Sequence, residues 1–594
     1  MKIPIPRIQF GELASRFKRG EGRDDGDASD APSPSAVAAG SVLRGYGPLA
    51  AFALLFVLMA GFVPTVDEKL ASNEGGGAFN QPEDYVDPTK PTDSGAVAPD
   101  GSGEVAGDVG TNIPGKNSVK PSGTVAAPLP GRGAGSCAGK ASQVPGDPYS
   151  PPCIEFAGGD NGGATANGVS KDTVKVSFRV IDEKGFLQTL ATLAGADIVD
   201  TPADIKRTIE AFEQFFNDHY QFYGRKIDII FHNGSGSITG ELVGGGRDAA
   251  VADAATIKAE INPFIEMNAA SEPFADAIAD KQIIGFGTPY LSRKWHNDRR
   301  PYAWSLATDG SIVSEAAAEF TNKMLVRKPA AFAGDAMKTA TRVIGGLAPE
   351  NPWYQESVDN AEVVLKSEGN DFGDNRVKYK LDINSMSNQA AGVISQFKGK
   401  NPQVTTILCG CDPIFPVFLS AKAAEQDYEP EWIVVGTALT DWDVAAQLYN
   451  QDQWVHAFGI SSMGEPRPVR AGLGYSAYKS VRKDEPAFAV ELIYATMLMI
   501  ASGIQMAGPN LTPFSFEAGL KNWPGGTGPY GTFGFGPADY TPTRDYRIIW
   551  WDRDAISIVN SAPGSYRVAF GGERYAPGKF PRLAADQQPP VFQG

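Results

Sequence analysis

The stretch "FIEMNAASEPFADAIADKQIIGFGTPY", residues 264–290, contains two short apolar runs separated by an amphipathic segment. Each apolar run is followed by small or polar residues. Short apolar runs with such boundaries indicate buried strands, and the segment between them has helical spacing. The stretch therefore predicts a strand–helix–strand unit in which both strands end on a small, polar loop.

The same alternation of strands and helices continues on both sides of this stretch. Upstream, the strands "VKVSFRVID" (174–182) and "RKIDIIFHNG" (225–234) flank the helical pattern "DIKRTIEAFEQFFNDHY" (204–220). A second series begins at "RVIGGLAP" and continues through "VKYKLD", "TTILCG", "EWIVVG" and "HAFGIS" between helical segments. Repeated βα units build parallel sheets with helices on both faces. We therefore predict an α/β fold with two lobes, each a doubly wound parallel sheet.

Composition excludes several classes of protein. A chain of 594 residues is too long for one compact core, which favours two or more folding units. The net charge of -16 argues against a nucleic-acid partner, since phosphates are held mainly by clustered Lys and Arg. The four Cys, together with only four widely spaced His, show no pattern of zinc ligands.

An uncharged segment near the N-terminus, "GYGPLAAFALLFVLMAGFVP" (45–64), is long enough as a helix to cross a bilayer core. We predict a transmembrane signal anchor at 45–66; a cleaved secretory signal is the alternative. Arg16, Lys18, Arg19 and Arg44 precede the segment, so the positive-inside rule places a tail of residues 1–44 in the cytoplasm. The binding domain that follows would then lie outside the cell, with the protein crossing the cell membrane once.

Residues 67–170 are rich in Gly, Pro, Ser and Asp and contain few aromatic residues. This composition predicts a disordered linker that tethers the globular part. Cys137 and Cys153 lie near its far end, and in an exported protein such a pair favours a disulfide over two free thiols.

Ligands of open α/β sheets bind beyond the carboxyl ends of the strands. Asn268, Ala270 and Ser271 lie after one strand of the opening stretch, and Thr288 and Tyr290 lie after the next. We predict that these residues face a cleft and bind a polar ligand. For Ser271 the alternative is that its side chain only caps the helix that begins at Glu272.

Four segments resemble the type I periplasmic binding proteins, in the branch that captures branched-chain amino acids and related amides for ABC importers: "GRKIDIIFHNG", "AAVADAATIKAEIN", "ASEPFADAIADKQIIGFG" and "AFAVELIYATMLMIASGIQMAG". The resemblance covers roughly residues 170–560 and lies in the order of many weak patterns. It implies an N-lobe at 171–335, a C-lobe at 342–461, a return to the N-lobe at 462–540, and C-terminal strands with a tail at 541–594.

The resemblance also implies ligand residues in the second lobe. The aromatic residue that covers the ligand in the family falls on Tyr354, and the remaining loops contain Asp412, Thr437 and Asp441. The sequence departs from the family where a carboxylate holds the ligand ammonium, because Ala438 occupies that position. Either Asp441 or Asp412 takes this role, or the ligand is not a standard amino acid.

Two further sequence patterns, a close pair of cysteines and a glycine-rich segment, can each be interpreted in more than one way. Cys409 and Cys411 share a strand face near the predicted cleft. They could form a tight disulfide or remain as two buried thiols. A redox or metal pair is a third alternative, which their spacing disfavours. The segment "GTGPYG" (526–531) matches a dinucleotide-binding pattern, but it lacks the flanking strand and helix and is interpreted as a loop or hairpin. No catalytic motif is present, so we expect no enzyme and no cofactor.

The sequence as a whole predicts a membrane-anchored extracellular protein that closes two lobes on a small polar molecule, such as an amino acid or amide. The expected partners are the permease and ATPase subunits of an ABC importer. The alternative is a ligand-sensing ectodomain or surface interaction protein with the same two-lobed fold.

Overall fold

The structure is a computed structural model that describes residues 137–181, 200–237, 240–241, 245–287, 290–382, 384–412, 414–436, 440–464, 467–559 and 561–593. The predicted tail and anchor, and the linker up to residue 136, lie outside these residues. So do two predicted ligand residues, Thr288 and Thr437, and the position of Ala438.

The first lobe is built on a sheet of five parallel strands in the order β2-β1-β3-β4-β5. The strands are β1 (Thr173–Val180), β2 (Lys226–Asn233), β3 (Ile265–Ala269), β4 (Ile284–Gly287) and β5 (Ala303–Trp304). The helices between them are α1 (Pro202–His219), α2 (Arg247–Glu260), α3 (Glu272–Asp280) and α4 (Arg293–Asp298). Helix α1 begins with a capping box between Thr201 and Asp204 and buries Ile205, Ile209, Phe212 and Phe216.

The second lobe contains five parallel strands in the order β7-β6-β8-β9-β10, extended at one edge by antiparallel strands. The parallel strands are β6 (Ile344–Pro349), β7 (Arg376–Tyr379), β8 (Thr406–Cys409), β9 (Glu431–Val434) and β10 (Ala457–Ser461). The accompanying helices are α5 (Gly310–Met324), α6 (Pro352–Lys366), α7 (Met386–Lys398), α8 (Phe415–Glu425), α9 (Asp443–Ala446) and α10 (Gln451–Trp454). The two parallel-sheet lobes predicted from the alternation are confirmed.

After β10 the chain returns to the first lobe through α11 (Leu473–Val481), α12 (Val490–Ala507) and α13 (Pro513–Asn522). Within the described residues, α12 is the one helix long and apolar enough to cross a membrane. Because 72% of its apolar stretch is buried inside the protein, it has the character of a core helix. Its side chains share a core with those of α1 and β1.

The segment "GTGPYG" forms the hairpin of β11 (Gly526–Gly528) and β12 (Gly531–Phe533), as predicted. The chain then crosses back to the second sheet and adds β13 (Tyr546–Ile556), β14 (Pro563–Val568) and β15 (Arg574–Tyr575). Within the described residues, three connecting segments therefore run between the lobes, at residues 305–309, 462–464 with 467–468, and 540–545.

Residues 137–170, which we call the N-terminal strap, pack against the first lobe. Tyr149 is fully buried, and its carbonyl oxygen accepts a hydrogen bond from Trp523 Nε1 at 2.9 Å. Gln143 Nε2 donates to the carbonyl of His219 at 2.6 Å, and Arg225 Nε donates to that of Ser170 at 2.7 Å. The prediction of a disordered linker is wrong for residues 137–170. The low aromatic content of the predicted linker favoured disorder, but the single buried ring of Tyr149 packs this part against the first lobe.

The structure joins both pairs of cysteines. Cys137 and Cys153 close a loop at the start of the strap, with their Cα atoms 5.7 Å apart. Cys409 and Cys411, at the end of β8, are joined across a separation of two residues. Of the three arrangements considered for this second pair, the structure has the tight disulfide.

Candidate functional site

Two tyrosines from opposite lobes meet where the lobes face each other. Tyr290 follows β4 of the first lobe, and Tyr354 lies in the first turn of α6, directly after β6 of the second. Their rings are stacked with centroids 5.3 Å apart and an interplanar angle of 6°, and their exposed fractions are 4% and 3%. Both were predicted from the sequence to bind the ligand, and the structure brings them into direct contact.

Asp412 lies beside this pair, after β8. Its Oδ2 accepts a hydrogen bond from the Tyr379 hydroxyl at 2.5 Å, and its Oδ1 accepts from the backbone N–H groups of Ile414 and Phe415 at 2.8 and 3.2 Å. Burial raises the pKa of Asp412, and these hydrogen bonds partly counteract the shift. The carboxylate is therefore committed to Tyr379 and to the start of α8.

Burial and neighbouring acidic groups raise the pKa values of the two stacked tyrosines. Burial and then the charges of Glu272 and Asp412 raise the pKa of Tyr290, while burial, Tyr290 and Asp412 raise that of Tyr354. We call Tyr290, Tyr354, Tyr379 and Asp412 the inter-lobe cluster. Its members come from both lobes and are all buried.

Asp441 lies between β9 and α9 of the second lobe, and its two carboxylate oxygens differ in their contacts. Its Oδ2 accepts from the Ser461 hydroxyl at 2.5 Å, whereas its Oδ1 is buried without a hydrogen-bond partner among the residues that the structure describes. Burial raises the pKa of Asp441 to about 6. After burial and Tyr566, the charges of both Asp412 and Asp441 raise the pKa of Tyr449, so the two carboxylates share one electrostatic environment.

Ser271 occupies the N-cap position of α3, but its side chain makes no capping hydrogen bond. Its hydroxyl instead donates to the carboxylate of Glu241. The alternative in which Ser271 only caps the helix is therefore wrong, because its hydroxyl donates to a carboxylate and accepts no hydrogen bond from the first turn of α3.

Glu241 belongs to a buried network that sequence reasoning missed. The guanidinium of Arg179 donates to Glu241 at 2.7 and 3.0 Å and to Asp253 at 2.6 and 2.9 Å, and it lies 4.0 Å from the centre of the Phe274 ring. The signal for it was present in "VSFRVID", because an Arg inside an apolar strand requires buried negative partners. The network supports the first-lobe loop that carries Ser271.

Asn268 and Ala270 line a cavity of about 310 Å³ that we call the hinge cavity. Its walls come from the ends of β3 and β4, three connecting segments (305–307, 462–464 and Thr543), the start of α12 and the β11–β12 hairpin. Asn268 Nδ2 donates to the carbonyl of Arg179 at 2.7 Å. Thus Asn268 and Ala270 lie on the cavity, whereas Tyr290, Tyr354 and Asp412 lie in the inter-lobe cluster.

The described residues contain no group of three His, Cys, Asp or Glu that could hold a metal ion. The arrangement as a whole consists of two lobes joined by connecting segments, an aromatic contact between the lobes and a cavity lined in part by those segments. Such an arrangement suits the enclosure of a small molecule.

The family model described as "Periplasmic binding protein" matches residues 206–555, more than half of the chain. The chain belongs to the type I periplasmic binding protein family. Members of this family bind small molecules for the permease and ATPase components of ABC transporters, which places them in the periplasm or outside the cell. The family is a class of binding proteins and not of enzymes.

A search of curated protein sequences finds no match for this periplasmic binding protein. Among solved structures, it is similar to a solute-binding protein of an ABC transporter from R. palustris in complex with 4-hydroxybenzoate (11% identity, 66% of this chain and 97% of that chain, TM-score 0.44). It is also similar to a fatty acid ABC transporter substrate-binding protein from Thermomonospora curvata (15%, 72% and 100%, 0.44). A leucine-binding protein from Thermotoga maritima gives comparable values (11%, 68% and 99%, 0.44).

Proposed function

We propose that this chain is a membrane-anchored extracellular solute-binding protein that closes its two lobes on a small molecule for an ABC importer. The observation that carries the proposal is the buried stack of Tyr290 on Tyr354. A contact between side chains of opposite lobes exists only when the lobes are closed. The stack therefore favours the closed state, and it does so with residues at the predicted ligand site.

Asp441 supports a solute with a hydrogen-bond donor. A buried carboxylate oxygen without a partner costs free energy, and an ammonium or amide N–H from the solute would restore the missing hydrogen bond. Asp412 is a poorer candidate because both of its oxygens already accept hydrogen bonds from the protein. The proposed solute class is therefore an amino acid, an amide or a related molecule with an N–H donor.

Solute capture is tested by native mass spectrometry of the purified protein, which identifies co-purified metabolites, followed by calorimetric titration. Tyr354→Ala and Asp441→Asn should each weaken binding of the identified solute by roughly 5- to 150-fold, the cost of a lost contact to a buried group. Tyr428→Ala is a matched control, since Tyr428 is equally buried but donates to the carbonyl of Val404, at the opposite ends of the strands. Equal binding by all four proteins would contradict the proposal.

Anchoring and transport need separate measurements. The intact peptide 45–64 should be found in the membrane fraction, and a mature N-terminus near residues 65–72 would contradict an anchor. Co-purification with a permease and its ATPase supports transport, whereas co-purification with a signalling partner alone would favour the sensor alternative.

A further inference from the structure

The wall of the hinge cavity is mainly apolar. Its side chains include Met267, Phe286, Leu306, Met463, Leu492 and Phe533. Two hydroxyls on the wall have partners within the protein. The Ser305 hydroxyl donates to the carbonyl of Gly287 at 3.0 Å, and the Thr496 hydroxyl donates to that of Leu492 at 3.0 Å.

Among the described residues of this wall, Glu491 supplies a carboxylate, which is also engaged. It accepts hydrogen bonds from the N–H groups of Gly474 and Tyr475, at 3.1 and 2.8 Å, and from the Tyr530 hydroxyl at 2.5 Å. A group that enters the cavity therefore meets mainly apolar surface, which favours an apolar occupant.

The N-terminal strap forms a second layer behind this wall. The ring of Tyr149 is stacked on that of Tyr530, with centroids 5.2 Å apart, and lies 4.8 Å from that of Phe533. Its hydroxyl accepts from the N–H of Tyr530 at 2.7 Å and donates to the carbonyl of Gly531 at 2.8 Å. Tyr530 and Phe533 both line the cavity, so Tyr149 packs against the side of these two residues that faces away from the cavity.

The glycines of "GTGPYG" explain how the strap comes so close. A Cβ on Gly526 would lie 1.8 Å from the carbonyl oxygen of Pro148, and one on Gly528 would lie 3.1 Å from the ring of Tyr149. Only glycine leaves room for the strap at these positions. Residues 137–170 precede the part of the chain that the family model matches.

We propose that the hinge cavity receives the apolar body of the captured solute, and that Tyr149 is a positioning residue that fixes the shape of the cavity wall. The proposal rests on the proposed function and specifies its solute further. A cavity of roughly 150 Å³ in another protein holds benzene. A volume of about 310 Å³ therefore fits a ring or branched chain with one further substituent.

The first test fills the cavity. Benzyl alcohol and cyclohexylmethanol serve as apolar probes and glycinamide as a polar one, with binding measured by ligand-observed NMR on the protein as purified. Ala495 is buried on the cavity wall, and Ala495→Leu should weaken binding of both apolar probes at least about tenfold by occupying their space. If this variant does not fold, Ala270→Leu makes the same change at a less buried position.

The second test removes the hydroxyl of Tyr149 and keeps its ring. Tyr149→Phe should weaken binding of benzyl alcohol by roughly 2- to 12-fold, because Tyr530 and Gly531 lose the contact that holds them. Tyr223→Phe is the matched control, since the hydroxyl of Tyr223 donates to the carbonyl of Gln505 at 2.7 Å in the same lobe, outside the cavity wall. It should change the melting temperature to a similar extent and leave probe binding unchanged.

The outcomes separate this inference from the proposed function. Apolar probes that do not bind, or that bind Ala495→Leu and Ala270→Leu as tightly as the unmodified protein, overturn the cavity assignment. Glycinamide binding that is as tight as that of the apolar probes and is weakened equally by Ala495→Leu overturns the apolar character of the cavity and leaves solute capture intact. Equal probe binding by Tyr149→Phe and Tyr223→Phe overturns the role of Tyr149, whereas loss of apolar probe binding in Ala495→Leu supports the cavity even if Tyr354→Ala has no effect.

Discussion

The ring of Tyr290 in the first lobe lies parallel to the ring of Tyr354 in the second, with centroids 5.3 Å apart. Nearby, the Ser292 hydroxyl donates to the carboxylate of Glu356 at 2.5 Å, and the backbone N–H of Arg293 donates to the Ser311 hydroxyl at 3.1 Å. The tyrosine stack is thus the apolar centre of a contact whose edge is polar. Such a contact can hold a closed state and still release it.

Tyr354→Phe should preserve this closed state, because the stack does not depend on the hydroxyl. Tyr354→Ala removes the ring and should reduce the free energy of unfolding by roughly 3 to 5 kcal/mol, as other losses of buried aromatic side chains do. Urea unfolding measures the loss, and small-angle scattering should show a more open protein for the Ala variant alone. Two variants with the same radius of gyration would contradict the role of the stack in closure.

Arg179 should be essential to the stability of the first lobe. Arg179→Met leaves Glu241 and Asp253 buried without their cation, and breaking a buried ion pair in this way costs roughly 3 to 5 kcal/mol. Urea unfolding is the measurement. The control is Lys206→Met, which breaks the exposed pair with Glu210 and should cost less than about 1 kcal/mol.

Asp441 should make the protein less stable as the pH rises from 4 to 6. Burial raises its pKa from 3.8 to about 6, so in this window the folded protein keeps a proton that the unfolded chain has released. Unfolding then releases that proton, and the contribution to the free energy of unfolding falls with increasing pH by on the order of 3 kcal/mol.

Urea unfolding at several pH values from 4 to 7 tests this dependence. Asp441→Asn should flatten the curve between pH 4 and 6, because the amide does not titrate. Asp452→Asn, at an exposed carboxylate, should leave the shape of the curve unchanged. A parallel pair of curves for the unmodified protein and Asp441→Asn would show that Asp441 does not titrate there.

The disulfide between Cys137 and Cys153 should stabilise the docked strap. It closes a loop of 16 residues, for which the chain-entropy model gives about 3 kcal/mol. Replacing both residues by Ser should lower the protection of the amides around Tyr149 in hydrogen exchange and leave β6 to β10 unaffected. Non-reducing peptide mapping checks the pairing directly, and recovery of both residues as free thiols from exported protein would contradict it.

The order of strands and helices could be read from the sequence because it depends on local patterns. The opening stretch predicted β3, α3 and β4, and "GTGPYG" was correctly interpreted as a hairpin because nothing beside it could form the rest of a nucleotide site. The strap was missed for the opposite reason. Tyr149 has few apolar neighbours in the sequence, and its partners Trp523, Tyr530 and Phe533 are hundreds of residues away.

By itself, the sequence determined the α/β alternation, the strand ends that carry Asn268 to Ser271 and Tyr290, and the family, since hydrophobic periodicity and element order are properties of neighbouring residues. Only the tertiary structure decided that Tyr290 meets Tyr354, that Ser271 bonds to Glu241 instead of capping α3, and that the strap supports the hinge cavity. Each of these depends on how two distant segments approach in three dimensions. Packing of the whole chain sets that approach, and no local pattern encodes it.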